Sequence, residues 1–247
     1  MGSTKQQRSK LLTLYSSSKY EDVIKLALSI TKKFPQDQFA WKALGVSFTQ
    51  LGQYDKALNA YSKASSLSPS DAESHSNLGV TFIELGRYDE AEKSLKRAIA
   101  LRSSYAEAHF NMGNLYAKTN RRKAAEGSYR RAIAVKPDYS MAYCNLGVVL
   151  HDCGSLAQAE TCYQRAIALK PDYFEAYCNL GITLQEMGRP NEAEACHLKA
   201  LSIEPNYAQA WANLSITLTE LGRLNEAEKV CRQAVALDPD LIEAHNS

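Results

Sequence analysis

The sequence has almost no net charge. It contains 29 lysine and arginine residues against 27 aspartate and glutamate residues, which gives a formal net charge of +2 at pH 7. Binding to nucleic acid or to an anionic membrane surface through counterion release needs a field of positive charge, and this balance does not supply one. The composition therefore predicts neither a nucleic-acid partner nor a membrane partner.

Long apolar segments are also lacking. Apolar runs such as residues 148–150 are far shorter than a bilayer-spanning segment, and the polar start of the chain lacks the apolar core of a signal peptide. The six cysteines include no CxxC pair, which argues against a disulfide framework and against a zinc knuckle. We expect a cytoplasmic protein without a metal or another cofactor.

The patterns that support catalysis are missing as well. The chain has no glycine-rich phosphate loop after a strand, no paired carboxylate site and no catalytic triad. Cys144 and His151, with Asp152 nearby and Cys178 further along, form only a weak metal-binding pattern, and small buried cysteines beside a solvated histidine are the favoured interpretation. We predict that this chain is not an enzyme, while the full-length protein could carry a transferase domain.

What the sequence does contain is an internal repeat with a period of 34 residues, a length typical of helical-repeat proteins. Residues 4–37 are predicted to form a degenerate helix pair that caps the array, and residues 242–247 begin a truncated further repeat. Between them we predict six full repeats, at residues 38–71, 72–105, 106–139, 140–173, 174–207 and 208–241.

The first full repeat shows the recurring pattern most clearly. Its characteristic residues are Trp41, Leu44, Gly45, Phe48, Gly52, Tyr54, Ala57, Tyr61, Ala64 and Pro69. This pattern resembles the tetratricopeptide repeat (TPR) position by position. The resemblance implies an all-α fold, a right-handed superhelical solenoid of antiparallel helix pairs, that serves as a protein-interaction scaffold.

Several recurring residues have a mechanical role. A glycine in the first helix of a repeat leaves room for the second helix to approach closely, and it recurs as Gly45, Gly79, Gly113, Gly147 and Gly181. Near the start of each first helix, pairs of residues three apart, such as Ser70 with Glu73 and Asp172 with Glu175, match capping boxes. We therefore expect these glutamates to cap their own helices and not to line a binding surface.

An asparagine recurs just before the Leu-Gly, Met-Gly or Leu-Ser pair of the first helix, as Asn77, Asn111, Asn145, Asn179 and Asn213. In the TPR family this position points into the concave groove. An asparagine amide can donate to a peptide carbonyl and accept from a peptide N–H, so such a ladder can hold a peptide backbone without reading its side chains. The alternative is a hydrogen bond to the adjacent helix. The first full repeat has Ala43 at this position, so the ladder is expected to start at the second repeat.

The ladder resembles the repeat domain of O-linked N-acetylglucosamine transferase and of bacterial repeat-bearing glycosyltransferases, in which asparagines at this position hold the substrate backbone. The same face is expected to carry Lys42, Val46, Phe110, Asn114, Lys118, Cys144, Val148, His151, Asp152, Cys178, Ile182, Glu186, Ile216 and Glu220. Packed helices lie about 8–10 Å apart and an extended chain advances about 3.3 Å per residue, so one asparagine should meet about every third ligand residue.

These observations predict a scaffold that binds a protein or an extended peptide through its asparagine ladder. Two alternatives stay open. One is a substrate-recruiting N-terminal domain of a larger glycosyltransferase or other transferase. The other is a self-assembly module, with self-association through an open C-terminal end.

Overall fold

The computed structural model describes residues 3–240, and within this range the chain forms fourteen α-helices and no β-strand. The predicted all-α array of helix pairs is confirmed. The predicted start of a further repeat at residues 242–247 lies outside the described residues. The helices are α1 (Lys5–Ser16), α2 (Tyr20–Lys33), α3 (Gln38–Gln50), α4 (Tyr54–Leu67), α5 (Ala72–Glu84), α6 (Tyr88–Leu101), α7 (Ala106–Lys118), α8 (Arg122–Val135), α9 (Ser140–Asp152), α10 (Leu156–Leu169), α11 (Phe174–Glu186), α12 (Pro190–Ile203), α13 (Ala208–Glu220) and α14 (Leu224–Leu237).

The helices belong to two compact units, and the boundary between them falls within α8, after Ala124. We call the odd-numbered helices first helices and the even-numbered ones second helices. In unit 1, α5 packs against its second helix α6 and against the next first helix α7. In unit 2, α11 packs in the same way against α12 and against the first helices α9 and α13. Each unit therefore places its first helices side by side.

Glycine sets the close approach of the two helices in a pair. A methyl group at Gly45 would lie 2.5 Å from Cε1 of Tyr61, and one at Gly147 would lie 2.6 Å from Cε1 of Tyr163. Real Cβ atoms do not tolerate such distances, and both rings are buried. The mechanical role predicted for these glycines is confirmed at Gly45 and Gly147.

The turn from a first helix to its second helix needs one residue with left-handed backbone angles. Five turns place a glycine there, with φ between 68° and 74°: Gly52, Gly86, Gly154, Gly188 and Gly222. In the third full repeat the residue is Asn120, at φ 56°. Asparagine tolerates this region better than most residues, but glycine adopts it without steric cost.

Replacement of Asn120 by glycine is therefore expected to raise the free energy of unfolding by about 0.5–1 kcal/mol. Asn59→Gly, which places the same new residue inside α4, should lower it by a similar amount because glycine is a poor helix former. Urea titration followed by circular dichroism measures both changes. Equal losses of stability in the two variants would contradict the role given to Asn120.

The predicted capping boxes are wrong in the described helices, while the last one, Asp240 with Glu243, extends outside the described residues. From α5 onward, the N-cap residue of each first helix lies one position later than the sequence pattern implied. These N-cap residues are Asp71, Tyr105, Tyr139, Tyr173 and Tyr207. Within the described residues, none of their side chains makes a capping hydrogen bond. Glu73 is therefore the second residue of α5, whereas a capping box needs the glutamate at the third. It forms an ion pair with Lys42 instead. The expectation that Glu73 and Glu175 cap their helices and do not line a binding surface is therefore wrong, and such glutamates remain part of the surface.

Candidate functional site

The exposed side of each first helix in unit 2 carries a column of four residues spaced i, i+4, i+7 and i+11, which places them on one helix face. The columns are Met141, Asn145, Val148 and Asp152 on α9; Glu175, Asn179, Ile182 and Glu186 on α11; and Gln209, Asn213, Ile216 and Glu220 on α13. We call this surface the first-helix face. Across the three helices it forms an asparagine row, an aliphatic row and a carboxylate row.

The asparagines connect neighbouring first helices. Nδ2 of Asn179 donates to Sγ of Cys144 at 3.9 Å, and Nδ2 of Asn213 donates to Sγ of Cys178 at 4.0 Å. In unit 1, Nδ2 of Asn111 donates to the hydroxyl of Ser76, 3.2 Å away, on the preceding first helix. The alternative stated from the sequence, a hydrogen bond to the adjacent helix, is therefore present at these three positions and also at Asn145, which bonds Tyr129 of α8. The side-chain amide of asparagine has a second N–H and an oxygen, so it can form further hydrogen bonds besides this contact.

The five asparagines differ in how much of the amide remains accessible. Asn77, Asn111, Asn145 and Asn179 are half-buried, while Asn213 is only 6% exposed. The amide oxygen of Asn213 accepts a hydrogen bond from Nε2 of Gln209 at 3.0 Å, and Asn145 hydrogen-bonds the side chain of Tyr129. Within residues 3–240, the amide oxygens of Asn111 and Asn179 accept no hydrogen bond.

The carboxylate row lies at the C-terminal ends of the same three helices. Oε1 of Glu220 accepts a hydrogen bond from Nε2 of Gln185 at 2.7 Å. Oε1 of Glu186 lies 3.2 Å from Nε2 of His151, although the angle does not make a hydrogen bond. Asp152 and Glu186 keep about half of their side chains exposed, at 48% and 51%. The structure therefore brings together the predicted site residues of α9, α11 and α13.

In unit 1 the α5 column has the same kinds of residue, Glu73, Asn77, Val80 and Glu84, whereas the α7 column has a different composition. It contains Glu107, Asn111, Asn114 and Lys118. Asn114 is half-buried, and Lys118 is exposed as the last residue of the helix. A lysine thus occupies the position that holds a carboxylate on each first helix of unit 2.

The thiols beneath the first-helix face are poor nucleophiles. The expectation that Cys144, Cys178 and Phe110 share the exposed face is wrong, because all three side chains are buried between helices. Burial raises the pKa of both thiols, to about 12 for Cys178. A thiol that stays protonated at neutral pH neither attacks a substrate nor ligates a metal readily. No group of three or more histidine, cysteine or acidic side chains in the described part of the chain is placed to hold a metal ion.

An apolar cavity of about 350 Å³ occurs in unit 1, where the first full repeat has Ala43 instead of asparagine. Leu12 and Tyr15 of α1 line it together with Phe39 of α3. At its rim, Nζ of Lys42 contacts Glu73 and lies 3.2 Å from Oδ2 of Asp71. The rim cation is thereby compensated within the protein.

The sequence interpretation missed two polar residues of the first-helix face and one buried residue. Gln209 donates a hydrogen bond to Asn213 of the α13 column. Gln185 donates one to Glu220 of the same column. The sequence shows that Gln209 lies four residues before Asn213 and that Gln185 lies 35 residues before Glu220. It does not show that these pairs form hydrogen bonds. His197 lies fully buried against Gly181 at the position that Tyr163 occupies one repeat earlier.

This arrangement of paired helices around an exposed first-helix surface defines a helical-repeat scaffold. The family described as TPR repeat matches residues 45–86, 80–120 and 149–188, and tetratricopeptide repeat matches cover residues 106–139 and 172–240. The chain belongs to the tetratricopeptide repeat family, whose members are protein-interaction scaffolds. A search of curated proteins found no match.

Three solved structures illustrate the similarity. MamA is 31% identical, over 67% of this chain and 97% of its own, with a TM-score of 0.59. YrrB is 24% identical, over 77% of this chain and 98% of its own, with a TM-score of 0.62. A chain in the APC/C hetero-tetramer Cut9-Hcn1 is 18% identical over 96% of this chain, with a TM-score of 0.80, and this chain spans 47% of its length. The described residues include no helix long and apolar enough to cross a bilayer.

Proposed function

We propose that this scaffold binds extended peptide segments along its first helices, with the asparagines hydrogen-bonding the peptide backbone. The observation that carries this proposal is the state of Asn111 and Asn179. Each is half-buried and anchored by one N–H to the neighbouring first helix. The second N–H and the free amide oxygen are the donor and the acceptor that a peptide unit needs.

The anchoring contact supports this role because it reduces the entropic cost of binding. A side chain that is already held in one orientation loses little freedom when a ligand arrives. YrrB, which shares this fold, is described as a TPR protein with an unusual peptide-binding site. Net hydrogen bonds contribute on the order of 1 kcal/mol each, so several asparagines would give moderate affinity.

The test is the binding of a fluorescein-labelled peptide of roughly nine residues built from serine, alanine and threonine, a length that spans about three neighbouring first helices within one unit. Fluorescence anisotropy would compare the natural chain with the Asn111→Ala, Asn179→Ala double variant. We expect the double variant to bind about tenfold more weakly or worse, because each substitution removes a donor and an acceptor.

The matched control is the Asn59→Ala, Asn191→Ala double variant, which makes the same change on exposed residues of the second helices α4 and α12. Its affinity should equal that of the natural chain. Circular dichroism would check that all three proteins are equally folded. Equal affinities of the two double variants would refute the ladder.

Of the two alternatives, a recruiting domain of a larger transferase would use the same asparagines to hold its substrate, whereas a self-assembly module places no demand on them. Both stay predictions. Each is compatible with a protein-interaction scaffold, since the family binds other proteins or peptides.

A further inference from the structure

The first-helix face of unit 2 exposes aliphatic side chains between its asparagine and carboxylate rows. Val148 is 38% exposed and Ile216 is 44% exposed, while Ile182 between them is half-buried. Next to the asparagine of the α9 column, Met141 is 48% exposed. An apolar strip bordered by one sign of charge is a surface that can select a ligand of defined chemistry.

The charge of this face is entirely negative. The helices α9, α11 and α13 contain no lysine or arginine, and their charged residues are Asp152, Glu175, Glu186 and Glu220. Lys136 and Lys170, which precede α9 and α11, lie at the opposite end of these helices from the carboxylate row and stack on Tyr139 and Tyr173.

The arginines that follow the carboxylate row along the chain form ion pairs with carboxylates of the second helices. Arg189 comes shortly after α11, and its guanidinium lies 2.9 Å from Glu160 and 2.7 Å from Glu192. Arg223 comes shortly after α13 and pairs at 2.7 Å with Glu194 and with Glu226. These four carboxylates belong to second helices, so the arginines do not neutralise the row on the first helices.

The spacing of the rows fits a long basic side chain. Seven residues separate the asparagine and the carboxylate of a column, which corresponds to about 10 Å along a helix. A lysine or arginine whose backbone lies on the asparagine row can lay its aliphatic stem over Val148, Ile182 or Ile216 and bring its cation to the carboxylate beyond. Each column offers a carboxylate at this distance, although on α13 the amide of Asn213 is buried and its oxygen is taken by Gln209.

The spacing between columns selects every third residue of the ligand. A polyproline II helix has three residues per turn and rises about 3.1 Å per residue, so equivalent side chains recur about every 9 Å. First helices packed about 8–10 Å apart have the same period. A flat β-strand would instead turn every second side chain to the same side.

We propose that unit 2 binds peptide segments in polyproline II conformation that carry lysine or arginine at every third position, with the cations on Asp152, Glu186 and Glu220. This inference rests on the proposed function, because the asparagine row holds the backbone. The α7 column of unit 1 interrupts the pattern, since Asn114 replaces the aliphatic residue and Lys118 replaces the carboxylate. In unit 1 the α5 column again carries Asn77, Val80 and Glu84. Unit 2 holds three such columns in succession, and the proposal concerns this uninterrupted run.

The experiment uses three labelled peptides of equal length that contain proline and alanine between the test positions. The first has lysine at every third position, the second has the same lysines placed contiguously, and the third has glutamine in place of lysine. Anisotropy titrations at low and high salt would compare the natural chain, the Glu186→Gln, Glu220→Gln double variant, and a control. The control is Glu126→Gln with Glu228→Gln, which removes the same charge from the second helices α8 and α14 and leaves the partners of Arg189 and Arg223 in place.

We expect the peptide with spaced lysines to bind about tenfold more tightly than the contiguous one, from a few exposed ion pairs acting together. The advantage should vanish in Glu186→Gln, Glu220→Gln and persist in the Glu126→Gln, Glu228→Gln control. Equal binding of the two lysine peptides, or an advantage that survives the loss of Glu186 and Glu220, overturns the inference.

The glutamine peptide separates this inference from the proposed function. If it binds, and the Asn111→Ala, Asn179→Ala variant weakens it while the spaced lysines add nothing, the ladder stands and the basic selectivity is wrong. If none of the three peptides binds the natural chain, both proposals fail.

Discussion

Replacement of Gly147 by alanine is expected to lower the free energy of unfolding by about 1–3 kcal/mol or more, the usual cost of overpacking a core. The added methyl group would lie 2.6 Å from Cε1 and 2.8 Å from Cζ of Tyr163. The ring is 1% exposed and has no open space to move into. The helices α9 and α10 would therefore have to separate, and their separation would also disturb the column of Asn145 on α9.

The matched control is Gly127→Ala in α8, where nothing lies within 4 Å of the added methyl group. Glycine inside a helix costs about 0.5–1 kcal/mol relative to alanine, so this variant should be more stable than the natural chain. Guanidinium titrations followed by circular dichroism give both values. The same substitution should thus act with opposite sign at two glycines of unit 2, and two changes of the same sign would contradict the close-contact explanation.

The second large effect is a loss of stability in acid that depends on His197. Its side chain is fully buried, and neither ring nitrogen has a hydrogen-bond partner in the described residues. Burial lowers the pKa of His197 from 6.5 to about 4. The folded protein thus keeps a neutral imidazole at pH values where the unfolded chain binds a proton.

The direction of the pH dependence follows from proton linkage. Above pH 6.5 both states hold His197 neutral, and stability is at its maximum with respect to this residue. As the pH falls toward 4, only the unfolded state gains a proton, so stability falls, by about 2 kcal/mol at pH 5, and it levels off once the folded state is protonated as well.

His197→Leu should abolish this contribution. Leucine is the residue that packs against Gly79 at the same position of another repeat, as Leu95. The variant should also gain about 1 kcal/mol at neutral pH, because two unpaired buried nitrogens are removed. Denaturant titrations from pH 4 to pH 8 measure both effects. His75→Asn keeps His197 and should keep the acid loss; a natural-like pH profile in His197→Leu would show that another group is responsible.

Much of the fold could be predicted from local sequence. The period of 34 residues, the glycines of the helix contacts and the asparagine positions all recur at fixed spacing, and spacing along a helix determines which residues share a face. For this reason the prediction of helix pairs was confirmed, and the site residues of α9, α11 and α13 lie on one surface. The start of the first helices was predicted less well, because a shift of one residue changes which side chain can cap the helix.

The sequence by itself therefore determined the family, the helix pairs and the rows of the first-helix face, since all of these depend on periodicity. Only the tertiary structure decided which residues of neighbouring repeats meet. It placed Asn179 on Cys144, turned Arg189 toward Glu160 and enclosed His197 without a partner. The first two contacts join residues 29 or more positions apart, and the burial of His197 depends on several helices. Such features are determined by how the helices pack and not by any local sequence pattern.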